Sequence, residues 1–492
     1  MHLKARASTG CSDGLLPTRA RCLTMSNSPA AHKVIPIQPL FAAEPKVYPR
    51  SVSGLFQRWR WGFVWLTQLV FYGLCWLPWN GRQAVLFDLE ARRFYLFDLV
   101  LYPQDTIYLA VLLVLAALAL FLFTAVAGRL WCGYTCPQTV YTEIFLWIEK
   151  VIEGDRPRRM KLDAAPWTPR KFALKAAKHG AWGVIALWTG FTFVGYFTPI
   201  DELARDTVTL SLGGWSAFWV LFYGFATYGN AGFLREQMCK YICPYARFQF
   251  VMFDADTLII TYDEKRGDPR GGRSKHTDAR EKGLGDCVDC GICVQVCPTG
   301  IDIRDGLQAE CIGCAACIDA CDQVMDKLDY PRGLIRYSTE NAVKQGTSAA
   351  AIVRRSFRPR VLIYSAVFLA LSAAAAWSLA TRVPLKVNIE RDRSVLSREV
   401  AGGAIENIFR MQITNASEAA RTFAVVLEGL PGIRLAEAVA ITVPPAATQL
   451  TTLQVHVDAG GADAGAQPIR IRVTDTADPA VSVTEAAKFW MP

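Results

Sequence analysis

Two closely spaced cysteine runs between residues 287 and 321 constrain this chain more than any other feature. Each run has the spacing C-x2-C-x2-C-x3-C, so three thiolates lie close enough to wrap three corners of one iron-sulfur cubane. The eight residues are Cys287, Cys290, Cys293 and Cys297 in the first run, and Cys311, Cys314, Cys317 and Cys321 in the second. This is the ligand pattern of a bacterial ferredoxin with two [4Fe-4S] clusters.

In that pattern the fourth cysteine of each run binds the cluster of the other run. The spacing therefore predicts two crossed ligand sets, a first cluster on Cys287, Cys290, Cys293 and Cys321, and a second on Cys297, Cys311, Cys314 and Cys317. The small residues between the cysteines allow backbone N–H groups to point at the cluster sulfurs; they are Gly291, Gly313, Ala315 and Ala316.

A pair of zinc sites is the competing interpretation of these runs. Zinc sites usually keep their C-x2-C pairs apart and often recruit histidine, whereas only His276 lies nearby. One irregularity is that Asp322 follows Cys321, where the first run has Pro298 after Cys297. The iron-sulfur prediction holds because three cysteines fall in each tight run.

The apolar composition indicates a membrane protein. Hydrophobic residues make up 52% of the 492 residues, with 14 Trp and 26 Phe. Five uncharged apolar segments each approach the roughly 20 residues that a bilayer requires; they cover residues 61–79, 107–127, 181–198, 215–234 and 361–379. Because the net charge of +9 gathers beside these segments, we expect a lipid bilayer and no nucleic acid as a partner.

The charges of the connecting loops predict the orientation. The loop between the second and third segments is rich in Lys and Arg and should be cytoplasmic, whereas the next loop carries Asp201, Glu202 and Asp206 against Arg205. Alternation places the N-terminus and the cysteine runs in the cytoplasm and the chain beyond residue 382 in the periplasm. The predicted location is the bacterial inner membrane, crossed several times.

A second cysteine motif, C-x-Y-x-C-P, occurs at residues 132–137 and again at 239–244, after the second and fourth apolar segments. Arg129 and Arg235 precede the two copies. Residues i and i+4 of a helix share a face, so each copy is predicted to point two thiols the same way, with the proline ending that helix or opening the next. Pseudo-symmetric packing of the two halves would bring together Cys132, Cys136, Cys239 and Cys243.

The residue types leave three uses for these four thiols open. They suit a redox-active dithiol pair, a soft-metal site with Met238 as an extra ligand, or the ligands of a further cluster, because thiolates select Cu(I), zinc and Fe-S. Packed structural cysteines are the plain alternative. The five histidines cannot supply paired axial ligands in the apolar segments, and there is no C-x-x-C-H for c-type haem.

The rest of the chain completes the predicted fold class, a multi-domain membrane protein. Residues 1–50 are polar and predicted to be disordered, with the true start at Met1 or Met25. Residues 84–102 mix aromatic and charged residues and suggest an interfacial segment. From residue 385, short alternating runs between turn residues predict a β-sandwich without cysteine.

The predicted domains follow from these assignments. They are a disordered segment (1–50), a four-helix membrane domain (51–262), a ferredoxin-like α+β domain with two [4Fe-4S] clusters (263–340), a fifth transmembrane α-helix with its flanks (341–382) and a periplasmic immunoglobulin-like β-sandwich (383–492).

From about residue 50 to the end, this combination resembles the cbb3-type cytochrome oxidase accessory proteins known as FixG, CcoG or RdxA. The resemblance is carried by W-C-G-Y-T-C-P and C-K-Y-I-C-P, the double cysteine run, the fifth apolar segment and the sandwich. It implies a cupric reductase that makes Cu(I) for insertion into the oxidase. The four C-x-Y-x-C-P cysteines would then form the copper-bearing or dithiol site.

The resemblance also implies partners. These are oxidase assembly or copper-delivery proteins and a cytoplasmic electron donor, and a homodimer is a further expectation. Two other functions remain open at this point. One is a quinol-linked iron-sulfur electron carrier similar to the NapH-like proteins, and the other is a copper-binding assembly chaperone without redox turnover.

Overall fold

The computed structural model describes residues 46–492 except 274–281, 348, 393–395, 401, 459 and 462. The predicted disordered segment thus lies almost wholly outside the described residues, as does His276. The helices before the cysteine runs are α1 (Leu55–Gly73), α2 (Thr106–Ala127), α3 (Leu130–Tyr134), α4 (Pro137–Glu153), α5 (Arg156–Ala164), α6 (Pro169–Val194), α7 (Ile200–Val208), α8 (Gly214–Gly229), α9 (Arg235–Gln237) and α10 (Pro244–Met252).

Two helical segments in the described residues are long and apolar enough to cross a membrane, by length and composition. They are Pro103–Ala127, which contains α2, and Pro359–Ala380, which is numbered α16 below. They match the second and fifth predicted segments and lie side by side, with the hydroxyls of Tyr108 and Ser378 2.9 Å apart.

The other three predicted segments form α1, α6 and α8 without meeting both criteria. Charged residues occupy the first halves of α1 and α6, and α8 has 16 residues before the backbone becomes π-helical over Asn230–Leu234. Five spans therefore stay a prediction, of which two are supported by the helices themselves.

Residues 84–102, the predicted interfacial segment, form a small sheet, and their position at the membrane interface stays a prediction. After the two-residue strands β1 (Pro78–Trp79) and β2 (Arg82–Gln83), strands β3 (Val85–Asp88), β4 (Arg93–Leu96) and β5 (Leu99–Leu101) pair antiparallel. Alternation along these strands gives the sheet one buried face. Leu86, Tyr95 and Val100 pack there against Ala416 and Ala446 of the C-terminal domain.

The cysteine runs belong to an α+β unit closed by one strand pair. Strand β6 (Ile259–Tyr262) pairs antiparallel with β7 (Ile335–Ser338), and between them lie α11 (Glu264–Gly267), α12 (Ile292–Val296) and α13 (Ala316–Leu328). The predicted boundary at residue 263 is therefore too late, because it separates β6 from its partner. We call residues 259–338 the cluster unit.

Residues 340–380 lead from the cluster unit back to α2 through α14 (Glu340–Gln345), α15 (Ala349–Ser356) and α16 (Pro359–Ala380). The guanidinium of Arg358 at the start of α16 donates to the carbonyl of Ala125 at the end of α2, at 2.5 Å. The carboxylate of Asp105 at the start of α2 binds Arg382 and Lys386, each at 2.7 Å, just beyond the end of α16. Polar contacts at both ends therefore hold α2 and α16 antiparallel to each other.

The C-terminal domain is the predicted β-sandwich, with core side chains from both sheets. Its strands are β8 (Leu385–Arg391), β9 (Arg398–Glu399), β10 (Ala404–Asn415), β11 (Arg421–Glu428), β12 (Arg434–Leu435), β13 (Ala440–Val443), β14 (Thr448–Asp458), β15 (Gly465–Asp475) and β16 (Ser482–Met491). One sheet has the order β12-β14-β10-β8, with β9 beside β10, and the other has the order β13-β11-β15-β16. The alternating runs at residues 385–389, 409–413, 423–427, 440–443, 450–457 and 469–473 fall within six of these strands, whereas β16 was not predicted.

The cluster unit and the sandwich contact opposite ends of α2. At its start, Tyr102 Oη donates to the carbonyl of Asn415 in the sandwich. At its end, Arg129 binds carbonyls of the second cysteine run. The 22 residues of α2 span about 33 Å, close to the thickness of a bilayer core.

Candidate metal centre

Two cavities in the cluster unit separate the eight cysteines into the predicted sets. The first has about 370 Å³ of space, part of it open to solvent, and its lining includes Cys287, Cys290, Cys293 and Cys321. The second has about 340 Å³, also partly open to solvent, and its lining includes Cys297, Cys311, Cys314 and Cys317 together with Cys293. Each cavity thus has a thiol from the fourth position of the other run. Four thiols around one cavity fit the donor set of a [4Fe-4S] cluster.

The two cysteine runs share one backbone conformation. Asp289 and Gly313, which precede the second cysteine of their runs, have φ of 52° and 70°, and Gly291 and Ala315, which follow it, have φ of 62° and 60°. These left-handed residues curl each loop around its cavity. The sequence analysis named three of these four as small residues between the cysteines. It missed Asp289, because an aspartate does not by itself indicate a left-handed backbone.

Backbone amides face the sulfurs of the second cavity. The N–H of Gly313 lies at the Cys311 thiol and the N–H of Ala316 at the Cys314 thiol. Amides in these positions stabilise thiolate charge and tune a bound cluster. Burial nonetheless raises the pKa of Cys314 to about 11, so in the metal-free chain these thiols are protonated at neutral pH.

In the described residues, no three His, Cys, Asp or Glu side chains are arranged to hold a single metal ion. The four thiols of a cubane each bind a different iron, so they stand further apart than the ligands of one ion.

The C-x-Y-x-C-P copies do not form the expected helical faces. Cys132 lies on α3 and Cys239 in the π-helical segment Met238–Ile242, but Cys136 and Cys243 are extended residues that cap α4 and α10. The i, i+4 prediction is wrong because a residue before proline is excluded from the helical region. Pro137 and Pro244 open the next helices, as the sequence predicts.

The two copies nevertheless share one pattern of backbone hydrogen bonds. The N–H of Cys136 donates to the carbonyl of Trp131 at 3.0 Å, and the N–H of Cys243 donates to the carbonyl of Met238 at 2.8 Å. Both bonds reach five residues back along the chain. The half-buried Met238 therefore shapes the second copy through its backbone.

The thiols of the two copies lie near enough to influence one another's pKa, although no three of them are arranged to hold a single metal ion in this structure. Burial raises the pKa of Cys132 to about 12, and the neighbouring Cys136 and Cys239 add to the rise. Burial also raises the pKa of Cys239 to about 11, with further contributions from Cys136 and Cys243. The Cys132 thiol donates to Oε1 of the buried Gln249 at 3.2 Å. We call Cys132, Cys136, Cys239 and Cys243 the four-thiol site.

The four-thiol site adjoins the second cavity of the cluster unit. Cys132 and Cys239 pack in one apolar cluster with Cys314, Cys317 and Ile312. The backbones touch at Gly133, where a Cβ atom would lie 2.8 Å from the carbonyl carbon of Gly313. Only glycine at residue 133 permits this approach.

Gly133→Ala is therefore expected to push α3 away from the cysteine loop, at a cost of about 1–3 kcal/mol for overpacking a tight contact. The measurement is the iron content and thermal stability of the purified protein. Gly183→Ala on α6 is the matched control, because a Cβ there meets nothing within 4 Å and alanine favours a helix. Equal iron content and stability in the two variants would contradict this account of the contact.

A buried network of ion pairs fixes Arg235, which precedes the second C-x-Y-x-C-P copy. Glu149 on α4 accepts from Arg159 and from Arg235, each at 2.7 Å. Burial alone would raise the pKa of Glu149, but Arg235 and Arg159 hold it below its usual value. Arg235 adopts φ of 34°, a conformation that a non-glycine residue keeps only when its surroundings impose it. The sequence singled out Arg235 but gave no sign of its partner.

Three sequence families match parts of the chain. A 4Fe-4S dicluster domain family matches residues 234–340, a 4Fe-4S binding domain family matches residues 109–154, and the family described as the IG-like fold at the C-terminus of FixG matches residues 375–492. Protein RdxA of Cereibacter sphaeroides is 37% identical over 467 residues, which are 92% of this chain and 98% of RdxA.

The chain belongs to the FixG/RdxA family.

Nitrogen fixation protein FixG of Rhizobium meliloti is likewise 37% identical, over 80% of this chain and 81% of FixG. A crystal structure of a FixG-related protein from Vibrio parahaemolyticus aligns with 22% of this chain and 95% of its own, at 18% identity and a TM-score of 0.20. The family assignment confirms the resemblance carried by the motifs, and the dicluster match confirms iron-sulfur binding.

One match within the FixG/RdxA chain bears on the four-thiol site. Residues 109–154 match a 4Fe-4S binding family but contain only two cysteines, Cys132 and Cys136. Four-iron clusters take four protein ligands. A further cluster here would therefore need Cys239 and Cys243 from the second copy.

Proposed function

We propose that this chain is a membrane iron-sulfur oxidoreductase that reduces Cu(II) to Cu(I) at the four-thiol site, in the service of cbb3-type cytochrome oxidase assembly. The supporting observation is that Cys132 and Cys239 pack against the same apolar cluster as Cys317, a cluster to which Cys314 belongs. Cys314 and Cys317 line the second cavity. Bound [4Fe-4S] clusters supply electrons one at a time, as reduction of Cu(II) to Cu(I) requires.

The four-thiol site has the chemistry that Cu(I) prefers, since soft thiolates select this ion. Burial raises the pKa of Cys132 and of Cys239 and keeps both thiols protonated, so copper must displace protons as it binds them. Gln249 holds the Cys132 thiol, and the N–H groups of Gln138 and Thr139 face the Cys136 sulfur. No general acid or base is needed, because the metal gains one electron and no proton.

The proposed location is the inner membrane, with the N-terminus and cluster unit cytoplasmic and the sandwich periplasmic. Contacts of the two domains with opposite ends of α2 support it. Large apolar side chains on α1 and α8 also face outward, including Leu69 at 67% and Phe225 at 75% exposure. Such surfaces suit lipid, so we propose that α1, α6 and α8 join α2 and α16 in crossing the bilayer.

A quinol-linked electron carrier is the second candidate, and one cavity favours it. About 1020 Å³ of space, part of it open to solvent, lies between α1, α4 and the cluster unit. Its wall includes Cys239 and Cys314, the ion pair of Arg60 and Glu143, and the tryptophan pair Trp61 and Trp147. Aromatic rings beside a carboxylate and a guanidinium suit a small amphipathic ring compound.

The test of copper reduction uses protein reduced anaerobically and then freed of reductant. Added Cu(II) is expected to oxidise the clusters while a Cu(I)-specific chelator reports Cu(I) in matching amount. Cys132→Ser and Cys243→Ser are expected to keep their iron and lose at least tenfold in rate. Cys75→Ala is the matched control, because Cys75 is buried away from both motifs, with its thiol donating to the Tyr72 carbonyl.

Other outcomes separate the alternatives. Copper bound without cluster oxidation indicates a chaperone. Clusters that a quinol analogue reduces equally well in wild type and Cys132→Ser, with no Cu(I) formed by either, indicate a quinol-linked carrier. Twelve irons per chain rather than eight indicate a third cluster at the four-thiol site.

A further inference from the structure

Two buried arginines outside the cluster unit reach into its second cysteine loop. Arg60 on α1 is 6% exposed, and its Nη1 donates to the carbonyl of Cys314 at 2.6 Å. Arg129, between α2 and α3, is 5% exposed and donates to the carbonyls of Ala309 and Cys311. Both guanidinium groups therefore bind the loop that lines the second cavity.

Little negative charge offsets these two cations. In the part of the chain that the structure describes, Arg129 has no carboxylate oxygen within 4 Å, and the nearest to Arg60 is Glu143 at 3.9 Å. Arg304, beside the first cavity, differs because it pairs closely with both Asp302 and Asp289. The second cavity thus meets buried positive charge that is only partly neutralised, by Glu143 at Arg60.

Positive charge bonded to the ligand loop also acts on a cluster held by that loop. Reduction of a bound cluster adds one negative charge, which a neighbouring guanidinium stabilises. Charge and hydrogen bonding near the cluster set its reduction potential, and a low dielectric strengthens the effect.

We propose that Arg60 and Arg129 raise the reduction potential of the cluster held by Cys297, Cys311, Cys314 and Cys317. They are positioning residues that touch the ligand loop and not the iron. Because both lie outside residues 259–338, the membrane half of the chain tunes a cluster that another unit binds. The proposal depends on the ligand division above and is independent of copper reduction.

The test is an EPR-monitored redox titration of the purified full-length protein. Arg60→Gln and Arg129→Gln are each expected to lower the ratio of reduced to oxidised second cluster about tenfold at a fixed applied potential. For a one-electron couple this is a shift of about 59 mV. Arg60→Lys and Arg129→Lys retain the charge and should titrate near wild type.

Arg304→Gln serves as the control for location, and should leave the second cluster unchanged. Glutamine variants that titrate as wild type would overturn the proposal, as would lysine variants that shift as far as glutamine ones, since that indicates a structural role. If the Arg129→Gln protein contains no iron, the comparison of Arg60→Gln with Arg60→Lys decides whether the proposal stands. If the glutamine variants show the full potential shift but the wild-type protein does not reduce copper, this inference is supported and the proposed activity is refuted.

Discussion

Cys321→Ala is expected to remove the same iron-sulfur cluster as Cys290→Ala, although the two cysteines belong to different runs. The cavity that Cys290 lines is completed by Cys321, and the cavity that Cys311 lines is completed by Cys297. Alanine offers no donor atom, so each single variant should hold about four irons instead of eight. EPR of the reduced protein should show one remaining cluster.

The EPR spectra of four single variants distinguish crossed ligand sets from sets drawn from single runs. Cys297→Ala and Cys311→Ala should share one spectrum, and Cys290→Ala and Cys321→Ala should share the other. Ligand sets drawn from single runs would instead pair Cys297 with Cys290. That grouping would refute the crossed assignment without any loss of folding, because every variant would still carry one cluster.

Glu149→Ala is expected to destabilise the protein by about 3–5 kcal/mol, because it leaves two buried guanidinium groups without their shared carboxylate. Arg159 and Arg235 both bind Glu149 at 2.7 Å, and Glu149 is 2% exposed. Freed from this anchor, Arg235 should also relax its left-handed backbone and displace Cys239. The measurements are thermal unfolding of the purified protein and the reactivity of Cys239 toward a thiol reagent.

Glu340→Ala provides the comparison, since Glu340 forms an exposed i, i+4 pair with Lys344. Exposed pairs of this kind contribute about 0.3–0.5 kcal/mol. If Glu149→Ala unfolds at the same temperature as Glu340→Ala, the buried network does not stabilise the fold. Unchanged labelling of Cys239 would show that Arg235 keeps its conformation without Glu149.

Local sequence signals predicted the parts of the structure that local physics decides. Cysteine spacing limits which thiols can reach one cubane, so the two ligand sets could be predicted, and the thiols of each predicted set line one cavity. Alternation of apolar residues located the sandwich strands because one face of each is buried. Proline at residues 137 and 244 signalled a helix start, and the same rule should have excluded Cys136 and Cys243 from a helix.

No local sequence pattern indicates the contacts between segments that are distant in the chain. Arg60 and Cys314 are 254 residues apart in the chain, and nothing near either residue indicates the other. The same holds for Arg129, which the sequence singled out by position alone, and for Glu149 as the partner of Arg235. These pairings arise only when the helices before residue 259 pack with one another and with the cluster unit, so they required the structure.

Asp319 connects iron binding to the first helix of the chain. It lies on α13 between Cys317 and Cys321, and its carboxylate accepts the N–H groups of Phe56 at 3.1 Å and Gln57 at 2.7 Å. The first turn of α1 therefore takes its cap from a helix that carries ligands of both clusters. We therefore expect iron binding and the position of α1 to be coupled, because a shift of α13 on loss of iron would remove the carboxylate that caps α1.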